Sequence, residues 1–193
     1  MTTSAKIISG VVASTGVIGG SIGTAYALRS PSNISISKQL ENEGKKILIS
    51  SASSDLWNIK LKTYQKQKAT LTIIELAEEN IGTLKSKCNS NLTSEFNEKN
   101  KPLYEALKTV CTSPTNKEKL FSLDHEIAED WSTKASTYNS VAQTEHAIEE
   151  FKNTRPTGDQ IREWCEKIIK EEFKSDTDKN YKLSIKWCTK KGV

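Results

Sequence analysis

Cysteine placement constrains this chain more than anything else in it. There are four cysteines among 193 residues. Cys88 and Cys111 lie 23 positions apart, and so do Cys165 and Cys188. Other landmarks recur between the members of each pair: Glu95, Phe96 and Tyr104 in the first, Glu172, Phe173 and Tyr181 in the second. Upstream, Trp57-Asn58-Ile59-Lys60 with Thr63-Tyr64 is answered by Trp131-Ser132-Thr133-Lys134 with Thr137-Tyr138. The pattern reads as a duplicated module with one cysteine pair per copy. A short insertion at the Thr154–Gly158 turn would bring the upstream and cysteine landmarks of the second copy into register.

Four cysteines allow three connectivities. The repeat selects Cys88–Cys111 and Cys165–Cys188, each joining the ends of consecutive helices. Hydrophobic residues make up 35% of the chain. Part of that share sits in one N-terminal stretch, so the rest has a thin core, and small thin-cored modules commonly need staples. A bridge supplies roughly 2–4 kcal/mol. The alternative is a set of reduced, buried thiols in a reducing compartment. A four-cysteine zinc site fits poorly, because its ligands usually arrive as close pairs of the Cys-x-x-Cys kind.

Residues 7–28 carry no charge. That is long enough for a membrane-spanning helix, which needs about 20 residues. Gly16 with Gly20, and Gly19 with Gly23, form small-xxx-small pairs that permit close packing of two spans, hence a homodimer. Ala25-Tyr26-Ala27 also fits a signal-peptide cleavage pattern. An uncleaved anchor over residues 1–29 is the preferred expectation. Basic residues after the segment (Arg29, Lys38, Lys45, Lys46) weakly favour a cytoplasmic C-terminal part. The even, regularly paired cysteines argue for the outside, and they are given more weight.

Residues 30–54 read as a linker: Ser30-Pro31-Ser32-Asn33 stops a helix, and Ser50 to Ser54 is a small polar run. Beyond it the pattern is helical, with repeat one at 55–115 and repeat two at 116–193. Leu71, Ile74, Ala77, Ile81, Leu84 and Cys88 predict one long helix. Leu120, Leu123, Ile127, Trp131, Ala135 and Tyr138 predict another. Thr115 with Glu118, and Thr157 with Gln160, have capping-box spacing. Pro102 sits near the start of a helix over Leu103–Cys111. The last segment alternates like a strand at Leu183, Ile185 and Trp187, but its match in copy one is helical, so helix is expected. The fold class is all-α: an N-terminal transmembrane helix followed by a small helical ectodomain of two degenerate repeats.

No constellation for catalysis stands out, and the chain is read as a non-enzyme. His125-Glu126-Ile127-Ala128-Glu129 lacks the second histidine of a helical zinc-protease motif. No metal ligands, cofactor site or catalytic residues are assigned. Trp57, Trp131, Trp164 and Trp187 read as core rather than as exposed anchors. The net charge of +4 is spread among interspersed lysines and glutamates, which argues against nucleic acid as a partner.

The chain resembles the large paralogous protein families of hemotropic mycoplasmas. The matching elements are the Gly- and Ser-rich apolar segment Ile7–Leu28, Leu56-Trp57 with Tyr64, Ile161-Arg162-Glu163-Trp164-Cys165, and Lys186-Trp187-Cys188-Thr189. Copy one departs from it, since Lys87-Cys88 and Val110-Cys111 lack the tryptophan. The resemblance implies a membrane-associated, surface-displayed protein with a role in host contact or antigenic display. The partners expected are the membrane, through residues 7–28, and a host or surface protein. The rival expectation is a membrane-tethered scaffold facing the cell interior with reduced cysteines.

Overall fold

The structure is a computed structural model and describes residues 34–141 and 146–192. The expected anchor, its glycine pairs and the signal cleavage pattern lie outside the described residues. Among those described, no helix is long and apolar enough to cross a membrane.

Eight α-helices form the described fold, with no strand beyond isolated bridges. They are α1 (Ile36–Asn42), α2 (Ser54–Gln67), α3 (Ile81–Asn91), α4 (Lys101–Val110), α5 (Asn116–Ser122), α6 (Trp131–Val141), α7 (Gly158–Ile168) and α8 (Lys179–Cys188). The all-α class is therefore as expected.

The helices divide into two equivalent sets of four. One core gathers Ile36, Leu40, Trp57, Tyr64, Leu84, Leu107 and Val110. The other gathers Leu120, Tyr138, Ile161, Trp164, Ile168, Tyr181 and Trp187. The duplication extends to hydrogen bonds. Isolated antiparallel bridges pair Ser35 with Glu95 and Ile47 with Thr112 in module one. Their counterparts pair Thr115 with Glu172 and Ile127 with Thr189 in module two. The aromatic pairs match as well: Phe96 meets Tyr104 edge-on at 4.8 Å, and Phe173 meets Tyr181 at 4.9 Å. Tyr64 Oη accepts from the Leu76 amide, and Tyr138 Oη from the Ile148 amide.

Three expectations are corrected. The supposed linker over 30–54 contains α1, whose Ile36 and Leu40 are fully buried in the first core. Ser35 caps it by accepting from the Lys38 amide. Seven residues offer too few turns for a visible apolar period, so the sequence there shows only its polar, small-residue flanks. The long helix through Leu71 is also broken. α2 ends at Gln67, and α3 begins only after Asn80, whose side chain accepts from the Thr83 amide. Leu71, Ile74 and Leu76 still reach the core, from a turn-rich connection. Lastly, the continuous helix from Leu120 to Tyr138 is two helices. α5 stops at Ser122, and Asp124 enters the left-handed region at φ 58°. Gly44 does the same after α1 at φ 71°. Both turns close alike, the Lys45 amide reaching Leu40 O at 2.9 Å and the His125 amide reaching Leu120 O at 3.0 Å.

Other local expectations hold. Both capping boxes, Thr115 with Glu118 and Thr157 with Gln160, are formed. Pro102 lies in the first turn of α4, where its missing N–H has no helical partner to lose. The last segment is the helix α8. The copies differ in length at more than the Thr154–Gly158 turn. The connection from Ile47 to Trp57 is longer than that from Ile127 to Trp131, and a 3-10 turn at Glu149–Phe151 follows Ile148.

Candidate functional site

The cysteines pair as the repeat selects. Cys88 bonds Cys111 with Cα atoms 5.6 Å apart, and Cys165 bonds Cys188 at 5.5 Å. Each bridge ties the third helix of its module to the end of the fourth. All four cysteines are buried. Trp57, Trp164 and Trp187 are buried too, and Trp131 is partly so, which makes the tryptophans core residues.

The modules meet along a seam between α2 and α5. Ile59 of α2 is counted in the second core, and Leu56 packs against both. At the centre of the seam lies Lys60, 1% exposed. Its ammonium donates to Thr109 O at 2.7 Å and to Glu118 Oε1 at 2.6 Å. The other carboxylate oxygen of Glu118 accepts from the Thr115 amide at 2.7 Å. One side chain thus caps α5 and neutralises a buried cation of the preceding module. Burial lowers the Lys60 amine from its ordinary value; Glu118 opposes the shift, and Lys45 adds to it. Exposed pairs rim the seam: Lys66 with Asp124 at 2.7 Å, and Lys46 with Glu172 at 2.9 Å.

Lys134 is the counterpart of Lys60 and is 4% exposed. Its ammonium donates to Lys186 O at 3.4 Å, the position matching Thr109. Among the described residues no carboxylate pairs with it, and burial depresses its amine. The start of α6 that corresponds to the seam is polar, with Asp130 and Thr133 exposed where α2 packs the partly buried Leu56 and the buried Ile59.

A second network, in module one, joins Glu43, Lys108 and Tyr104. The Lys108 ammonium lies 2.7 Å from Glu43 Oε2 and 3.5 Å from Tyr104 Oη. Burial raises the Glu43 carboxyl, but bonds from Lys108, Tyr104 and Gln39 outweigh it and bring it down to about 2. Burial, with Glu43 beside it, pushes the Tyr104 hydroxyl up to about 12.

The surface carries shallow grooves. One of about 480 Å³ holds His125 with Lys66, Asp124, Glu126, Glu129 and Lys190. Its lysines are engaged, Lys190 holding Glu126 and Glu129 at 2.9 Å each. Another, of about 450 Å³, runs along α8 and is lined by Lys179, Lys182 and Lys186. Among the described residues, no group of three or more His, Cys, Asp or Glu is placed to hold a metal ion.

No family model, curated protein or solved structure matches this chain. Sequence reasoning identified the cysteine pairs but not the buried lysines. Both lysines stood inside the repeated Trp-x-x-Lys landmark, and their recurrence at matching positions was the available signal.

Proposed function

We propose that this chain is a membrane-anchored, surface-displayed protein whose helical part acts by contact or display. The observation that carries the proposal is the pair of buried disulfides, one in each module. Disulfides form and persist in oxidising settings and are rare where thiol reductants are abundant. The uncharged stretch at residues 7–28 supplies the anchor, and the resemblance to paralogous surface families supports a role in host contact or antigenic display. A rigid, stapled body with a varied polar surface suits both uses.

Protease shaving of intact cells, followed by N-terminal sequencing of the released and retained chain, tests this. Surface display predicts cleavage of the helical part without lysis, and an anchor predicts a mature N-terminus upstream of residue 7. Protection until the cells are lysed would replace display with the inward-facing scaffold.

A further inference from the structure

The two modules act as controls for each other. Residues shared at matching positions reflect the common fold, and a feature present in one module alone is not needed to form that fold. The groove along α8 is one place where they differ in charge. Lys179, Lys182 and Lys186 lie at intervals of three and four, so they form one stripe, about 10 Å long at the rise of an α-helix. The matching positions on α4 are Pro102, Glu105 and Thr109, which carry no cation. The fold of module one is therefore complete without this stripe.

The remaining described lining is His146, Thr177 and Leu183, and no carboxylate is among it. Lys182 has no ion pair among the described residues. The Lys186 ammonium lies 5.2 Å from the Trp187 ring centroid. Lys179 pairs with Glu149 at 3.5 Å, with both side chains mostly exposed. Such a contact is easily exchanged for a ligand anion.

From this juxtaposition of three lysines in a groove whose described lining carries no carboxylate, we infer that α8 is a docking surface for a linear sulfated polysaccharide. Ammonium groups act as point charges and suit sulfate esters repeated along a flexible chain. The site is a groove rather than a flat face, which fits a chain better than a bilayer surface. Trp187, the aromatic ring beside the lysines, is fully buried. The groove thus offers no exposed ring on which a nucleic-acid base could stack. The inference rests on the display reading for the setting in which such a ligand is met.

Fluorescence anisotropy of a labelled heparin octasaccharide, with the full chain in a non-ionic detergent, tests it. Binding should weaken as salt is raised. The double variant Lys182→Glu/Lys186→Glu should lose about tenfold or more in affinity at fixed salt, since each lost cation removes a counterion-releasing contact. The control Lys99→Glu/Lys101→Glu makes the same charge change in module one and should change affinity less than about twofold. Thermal melts verify that both variants fold. No binding, equal losses in the two variants, or tighter binding to phosphatidylserine vesicles or a single-stranded oligonucleotide would each overturn the assignment. Because the purified chain is used, these outcomes are independent of where cell shaving places it.

Discussion

Lys60 and Lys134 occupy the same place in two copies of one module, yet only Lys60 has a carboxylate. The difference predicts opposite effects of the same substitution. Lys60→Met leaves Glu118 partly buried beside an apolar chain and should cost about 3 kcal/mol. Lys134→Met removes a buried, uncompensated cation and should stabilise by about 1 kcal/mol. Urea unfolding of the two variants decides between this account and one in which both lysines are equivalent. The pH dependence adds a signature. The folded state holds Lys134 below the ordinary value of 10.5, so it gives up the proton more readily than the unfolded state does. Stability then rises with pH as 10.5 is approached, and Lys134→Met should lose its share of that rise while the share of Lys60 remains. Glu43 works in the other direction. Its carboxyl is held at about 2 against 4.5, so it contributes stability above 4.5 that is lost as pH falls toward 2. Glu43→Gln should flatten the acid limb of a stability–pH curve over that window.

Helices α6 and α7 illustrate what was and was not legible at the scale of elements. The start of α7 was plain from its capping box and from the apolar positions Ile161, Trp164, Cys165 and Ile168. Its closeness to α6 was not. A Cβ at Gly158 would lie 2.9 Å from the Trp131 carbonyl carbon and oxygen. Gly158→Ala should therefore force the two helix starts apart and cost about 1–2 kcal/mol, readable as a lowered melting temperature. The merged helices through Leu71 and Leu123 failed for a related reason. Apolar spacing reports burial, and buried residues on turns such as Leu71 and Ile74 mimic a helical period. What breaks the chain there is polar: the Asn80 cap, and the left-handed residue Asp124. α1 was missed because seven residues show no period, although its match to α5 was available in Ser35 and Thr115, Leu40 and Leu120.

The whole described body is a two-module stack with one seam. α2 packs Leu56 and buries Ile59 against module two, while the matching Asp130 and Thr133 at the start of α6 stay in solvent. In stacked repeats, polar outer faces of this kind mark the ends of a core. Each module keeps its own staple, so removing one bridge should weaken the body without unlinking the repeat. Cys88→Ala/Cys111→Ala should cost about 3 kcal/mol, by the entropy of a closed loop of this length, as read by calorimetry. The modules also differ on their surfaces, as in the lysine stripe of α8. Surface display requires both bridges of this body to be oxidised in the cell. Alkylating intact cells with a membrane-impermeant thiol reagent, lysing under a second reagent without reductant, and weighing the chain measures this. Oxidised bridges predict that none of the four cysteines takes either label. Four cysteines labelled by the second reagent alone would mean reduced thiols on the inner side, and would contradict it.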